Sequence, residues 1–253
     1  MKAPIVTLCA FLLTLAALVG LLATLSPPVA AAETMETVVL YDGSLGTLPG
    51  AQGFAYVAYP SGPTQTISNG GTILDTTAAN SYYAGYFTQS ALMPTLDHTA
   101  GYTVTFTARV LAETHASNDR AGFSIIVLGD DDGGTETVQG IELAFWEGEI
   151  WAQEDDPLFT HGEGVAFATT TTTSYELAIL DSAYTLYGDG TAILAGPIRD
   201  YTAFSGFPDP YETPNFLFLG DDTSSARARL KLDYVAVAAV WDEFTYLPMI
   251  RRP

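Results

Sequence analysis

The feature that most constrains the fold is a two-residue alternation of apolar and polar side chains. In its clearest stretch, threonines and one arginine separate the apolar residues Tyr102, Val104, Phe106, Ala108 and Val110. Successive side chains of a β-strand point to opposite faces, so the stretch predicts a strand with one buried and one solvated face. After residue 32, no window has the 3.6-residue apolar period of an amphipathic helix.

The same alternation returns near the C-terminus. There we expect Ala228, Leu230, Leu232 and Tyr234 to face inward, opposite a row of charged residues. Further short strands are predicted at 120–128, 140–146, 149–153, 174–180, 183–187, 191–194 and 215–219. Many short strands separated by Gly- and Asp-rich turns indicate an all-β protein, an antiparallel β-sandwich or barrel. The segment 197–214, rich in proline and aromatic residues, is predicted to be a long ordered loop.

The first 32 residues have the pattern of a secretory signal peptide. A positive start at Lys2 precedes an apolar run over 5–25 and small residues at 29–32. An uncleaved membrane anchor is the alternative, because the run nears the length that spans a bilayer. We therefore expect a signal helix (1–32), one β domain (33–241) and a short tail (242–253). The tail is either a sorting signal or the end of the last strand.

Charge and cysteine usage narrow the compartment and the partners. The chain carries a formal net charge of −20, which repels phosphate backbones and excludes nucleic acid as a partner. Membrane contact is expected only through the signal or an anchor. The single cysteine, Cys9, lies in the signal segment, so the domain has neither disulfides nor Cys-based zinc sites. These features predict a secreted or cell-surface protein of bacterial type.

The predicted hairpin over 140–153 holds the most suggestive set of side chains. Saccharide sites combine aromatic faces with carboxylates and amides that hydrogen-bond to hydroxyl groups. The candidate ligand contacts are Trp146, Glu147, Glu149, Trp151, Gln153, His161 and Glu163. The alternative is that a tryptophan in a strand belongs to the core.

Two acidic loops are candidates for a calcium cofactor, which takes six to eight oxygen ligands. They contain Asp130, Asp131 and Asp132 in one loop, and Asp221 and Asp222 in the other. The alternative is that aspartate is common in turns for backbone reasons. Widely spaced histidines argue against a transition metal.

No residue is predicted to be catalytic. Glu147 and Glu149 share a parity, but Gly148 lies at the predicted turn and separates their faces. Asp119 and Arg120 are interpreted as a local ion pair. Three functional hypotheses follow: a binding or adhesion module for glycans or other surface or matrix components, a structural surface protein without a small-ligand site, and a polysaccharide-cleaving enzyme.

Several strings resemble the choice-of-anchor Y domains of exported bacterial proteins. They lie at 41–49, 119–124, 141–146, 150–153, 159–164 and 214–223. The resemblance implies a secreted or surface-displayed jelly-roll sandwich of the concanavalin A-like or laminin-G-like type. It supplies no catalytic residues. The tail departs from the best-known anchors, because Leu247-Pro248 lacks the Thr-Gly of a sortase signal.

Overall fold

The computed structural model describes residues 35–88, 93–130 and 138–240. The predicted signal segment and tail, and Asp131 and Asp132, lie outside these ranges. The strands are β1 (Met35–Asp42), β2 (Phe54–Tyr59), β3 (Thr64–Ser68), β4 (Gly71–Asp75), β5 (Tyr83–Thr88), β6 (Tyr102–His115), β7 (Ser124–Leu128), β8 (Gly140–Phe145), β9 (Glu149–Asp155), β10 (Leu158–Ala166), β11 (Thr173–Leu180), β12 (Ala183–Gly188), β13 (Thr191–Pro197), β14 (Phe216–Asp221) and β15 (Ala226–Val240). Two short 3-10 helices span Gly43–Leu45 and Pro49–Ala51. Among these elements, none is a helix with the length and apolar character needed to cross a bilayer.

The strands form two antiparallel sheets. Sheet A runs β13-β12-β11-β6-β15-β4-β3, with β1 also paired to β15. Sheet B runs β10-β9-β8-β7-β14-β5-β2. This arrangement confirms the predicted all-β antiparallel sandwich.

The core lies between the two sheets. The buried side chains of β6 are those that the two-residue alternation predicted to face inward. In β6, Val104 and Phe106 are fully buried, while the threonines between them are partly exposed. Phe106 of sheet A meets Phe145 of sheet B edge-on, with ring centroids 6.0 Å apart. Each such buried side chain stabilises the fold by about 1.5–3 kcal/mol.

Two sequence predictions are corrected by local geometry. A β-bulge between Leu232 and Tyr234 adds a residue to β15 opposite β6, so Val235 rather than Tyr234 takes the next inward position. One extra residue reverses the parity of every side chain after it. The predicted strand 120–128 begins only at Ser124, because the preceding segment leaves the sheet.

The segment 198–215 is ordered, as predicted, and covers the outer face of sheet B. Its Tyr201 and Tyr211 are buried against Ile126 and Phe218. Neighbouring strand residues such as Ile125 point the other way, into the main core. Sheet B is therefore covered on both faces along part of its length.

Candidate functional site

A cleft of about 600 Å³ lies between the outer face of sheet B and the segment 198–215. Its floor is formed by apolar side chains from four strands: Val57 of β2, Phe87 of β5, Phe218 of β14 and Ile126 of β7. Its walls are mostly aromatic and include Phe159, Phe204, Phe207, Pro208 and Tyr211. A volume of this size lies in the range of small-molecule sites.

A charged pair closes one end of the cleft. The Nη2 atom of Arg120 donates to Oδ2 of Asp222 over 2.9 Å. The two side chains are only 15 % and 11 % exposed. The guanidinium carbon of Arg120 also lies 4.7 Å from the ring centroid of Phe159, within cation–π range. The pair is thus held from two sides, and Arg120 is the one basic residue among the described residues that line the cleft.

Glu142 lies behind this pair, with no exposed surface. Its Oε1 atom is 3.7 Å from Nη1 of Arg120, and its Oε2 atom accepts a hydrogen bond from the hydroxyl of Tyr211. Burial, reinforced by the charge of Asp222, raises the pKa of Glu142 to about 8. A carboxyl group in this environment is predominantly protonated at neutral pH.

Two carboxyl groups lie beside Arg120. Among the described residues, neither Oε1 of Glu142 nor Oδ1 of Asp222 has a hydrogen-bond donor. The charge of Asp222 contributes to the raised pKa of Glu142, which favours the protonated form of that buried carboxyl group. Burial alone would lower the pKa of Arg120, but the carboxylates raise it, and the guanidinium stays charged.

Three side chains fix the backbone segment 118–120 that carries Arg120. Nε1 of Trp146 donates to the carbonyl oxygen of Arg120 over 3.1 Å, and Nε2 of Gln153 donates to that of the preceding residue over 3.0 Å. Nδ1 of His161 lies 2.9 Å from the carbonyl oxygen of residue 118. Three successive carbonyl groups are thus held by side chains that the sequence marked as ligand contacts.

Trp151 packs in the interior rather than presenting a face to solvent. Its side chain is 0 % exposed. The ring of His161 stacks on it with centroids 4.2 Å apart, and Trp146 meets it edge-on at 4.4 Å. The core alternative therefore holds for this tryptophan, which has no surface on which a sugar ring could stack.

The remaining hairpin candidates serve the same local framework or lie at its turn. Oε1 of Glu149 is 3.1 Å from Nε2 of His161. Both ring nitrogens of His161 thus face oxygen atoms, which fixes the orientation of the ring. Glu147 is exposed in the turn between β8 and β9, which supports the prediction that the two glutamates do not share a face.

Glu163 belongs to a separate ion cluster. Arg199 pairs with both Glu163 and Glu154, and the hydroxyl of Tyr184 donates to Oε1 of Glu163 over 2.7 Å. This cluster ties β10 to β12 and to the start of the long loop. None of its members lines the cleft.

The two acidic loops are placed differently from one another. Asp221 points inward, where its Oδ2 atom accepts a hydrogen bond from the hydroxyl of Thr76, and burial raises its pKa well above the usual range. Asp222 pairs with Arg120 rather than pointing into solvent. Within 35–88, 93–130 and 138–240, no group of three or more His, Cys, Asp or Glu side chains could hold a metal ion. Asp130 belongs to the other loop, most of which lies outside these ranges.

The sequence reading missed Glu142, Tyr211 and the role of Arg120. Arg120 pairs with Asp222, 102 positions away, instead of with its neighbour Asp119. One signal was available: Glu142 is the lone charged residue in the apolar strand 140–145, and a charged group in such a strand indicates a perturbed pKa.

Two antiparallel sheets with a covered outer face define a β-sandwich of the jelly-roll class. The chain is similar to a conserved carbohydrate esterase from the Shiga toxin-encoding bacteriophage phi24B, with 14 % identity, a TM-score of 0.58 and coverage of 81 % of this chain and 99 % of that one. It is also similar to a protein of unknown function with a galectin-like fold from Bacillus subtilis, with 11 % identity, a TM-score of 0.48 and coverage of 81 % and 99 %. A family GH16 non-specific endo-β-1,3(4)-glucanase gives 14 % identity, a TM-score of 0.46 and coverage of 85 % and 98 %.

At these identities the similarities show the fold alone. No protein-family model matches the chain, and no curated protein sequence matches it.

Proposed function

We propose that the protein is an exported binding module that holds a neutral carbohydrate in the cleft over sheet B. The observation that carries this proposal is the buried Arg120–Asp222 pair at the end of an aromatic-lined cleft. Aromatic faces stack on the C–H bonds of a sugar ring, while a guanidinium and a carboxylate exchange hydrogen bonds with its hydroxyl groups.

Polar atoms at this end support a hydroxylated ligand. Within the described residues, Nη1 of Arg120 has no hydrogen-bond acceptor. The exposed hydroxyl of Ser224 also lines the cleft and can donate or accept. Nη1 is itself buried and faces Glu142, so Ser224 supplies the polar group that is open to solvent, which favours a ligand with hydroxyl groups.

Charge supports a neutral ligand over an acidic one. Asp222 compensates Arg120, and the cleft lining also contains Asp209. The chain as a whole has a net charge of −20. A uronate would therefore meet repulsion without a free cation to offset it.

The two rival hypotheses have less support. A glycosidase pair flanks the substrate with carboxyl groups about 5–10 Å apart. Here Glu142 has no exposed surface, which suits a structural role rather than a catalytic one. A purely structural protein would have no need of a cleft of about 600 Å³. The exported location is proposed on the signal pattern, and the resemblance to choice-of-anchor Y domains agrees with display at a cell surface.

Binding to an array of neutral and uronate-containing glycans tests the proposal. We expect binding to neutral glycans only, reduced at least about tenfold by Asp222→Asn. Asp189→Asn is the matched control, because Asp189 lies in the exposed turn between β12 and β13, far from the cleft lining. Circular dichroism checks that both variants fold. The proposal fails if no glycan binds, or if folded Asp222→Asn binds as tightly as the parent.

A further inference from the structure

The rim of the cleft carries two exposed aromatic side chains. Phe207 is 77 % exposed and Tyr59 is 57 % exposed. Their rings meet edge-on with centroids 5.8 Å apart, and both residues line the cleft. Large exposed apolar side chains that adjoin one another mark sites of interaction.

The cleft is polar where it is buried and apolar where it is exposed. An ordinary binding surface has the opposite arrangement, with an apolar centre and a polar rim. Here the charged Arg120 and Asp222 are nearly buried, whereas the aromatic Phe207 and Tyr59 are open to solvent. A ligand that matches this order enters with its polar end first and leaves an apolar end at the rim.

The middle of the cleft supports the same orientation. Most of its lining is apolar and includes side chains such as Val57, Phe87 and Phe204. A polar group placed against such walls loses its water without gaining a hydrogen bond, which weakens binding.

We propose that the natural ligand is an amphipathic glycoside, a neutral sugar joined to an apolar aglycone. The sugar reaches Arg120 and Asp222, and the aglycone covers Phe207 and Tyr59. This inference rests on the proposed carbohydrate function and adds the chemistry of the second half of the ligand. Burying an apolar ring contributes enough free energy to raise affinity at least about tenfold.

Isothermal titration with methyl and phenyl β-glycosides of glucose, galactose, mannose and N-acetylglucosamine tests the inference on the full chain. For the accepted sugar, we expect the phenyl glycoside to bind at least about tenfold more tightly than the methyl glycoside. Phe207→Ala should remove most of this advantage and leave the methyl glycoside unaffected. Leu180→Ala is the control, because Leu180 is also exposed but lies on β11 of sheet A.

The outcomes separate the two proposals. If methyl and phenyl glycosides bind equally, or if Phe207→Ala weakens both alike, the aglycone inference is overturned and the carbohydrate proposal stands. If phenol alone binds as tightly as the phenyl glycoside, the sugar contributes nothing and both proposals are overturned. Failure of every glycoside to bind also overturns both.

Discussion

Trp146 and Arg120 are joined by a hydrogen bond from the indole Nε1 to the backbone carbonyl oxygen, 3.1 Å long. The bond ties the β8–β9 hairpin to the segment that carries the cation of the cleft. His115 stacks on the ring of Trp146 with centroids 3.9 Å apart and an interplanar angle of 11°. Trp146 is therefore a positioning residue for Arg120. The hairpin contributes to the position of a cleft residue through this bond, although its own residues do not line the cleft.

Replacing Trp146 with phenylalanine should loosen the segment 117–123. The variant keeps an aromatic ring but leaves the carbonyl group of Arg120 without its donor, at a cost of about 1–3 kcal/mol. Hydrogen exchange monitored by mass spectrometry should show faster exchange in that segment. Strands β11 to β13 serve as the internal control and should keep their protection. Unchanged exchange at 117–123 would contradict the positioning role.

Replacing Glu142 with glutamine should flatten the dependence of stability on pH. Burial raises the pKa of Glu142 from 4.5 to about 8, so the folded state keeps a proton that the unfolded chain releases. This contribution is fully present below pH 4.5 and is lost as the pH rises to about 8.

Urea unfolding of the parent should therefore show a falling free energy of unfolding across this window. Glu142→Gln should reduce the slope, with a remainder of the same sign from Asp221, whose pKa is also raised. Glu176→Gln, on the exposed face of β11, should leave the slope unchanged. Equal slopes in the parent and Glu142→Gln would refute the assignment.

The contribution of Glu163 to the free energy of unfolding should increase with pH, opposite to the contribution of Glu142. Burial alone would raise the pKa of Glu163, but hydrogen bonds from Arg199 and Tyr184 lower it below 4.5. The carboxylate therefore stabilises the fold above its unfolded pKa and loses that effect as the pH falls. Glu163→Gln should be destabilised at neutral pH, with a difference that shrinks in acid. The exposed Glu212→Gln provides the comparison, and a difference that stays constant with pH would exclude this mechanism.

Replacing Gly220 with alanine should destabilise the sandwich. An added Cβ would fall on backbone atoms of Ala84 and Gly85 in the adjacent strand β5. Strand backbones cannot separate without breaking ladder hydrogen bonds, so we expect a loss of about 1–3 kcal/mol or more. Gly50→Ala meets nothing within 4 Å and should change stability by less than about 1 kcal/mol. Thermal unfolding of the two variants compares them directly, and equal melting temperatures would disprove the steric argument.

Much of the fold could be predicted from local patterns in the sequence. The alternation over 102–110 predicted both the strand β6 and its buried face. The hairpin around Gly148 and the ordered loop before β14 were also predicted. These features depend on side chains only a few positions apart, which the two-residue period of a strand relates directly.

Part of the site makes contacts that the sequence did not predict. Trp146, Gln153 and His161 do come together, as their placement in and after one hairpin suggested. They hydrogen-bond to the backbone of the segment 118–120, and Trp151 packs against both Trp146 and His161. Packing of this kind depends on which side chains meet across neighbouring strands, and the two-residue period alone does not specify it.

The sequence by itself determined the β class, the strong acidity and the absence of cysteine after residue 9. Only the tertiary structure brought Arg120 to Asp222, 102 positions later, and Tyr211 to Glu142, 69 positions earlier. Alternation fixes which face of a strand is buried, whereas the partners of each strand are chosen by packing of the whole chain. The cleft exists because the segment 198–215 folds back over sheet B, a long-range contact that no local pattern encodes.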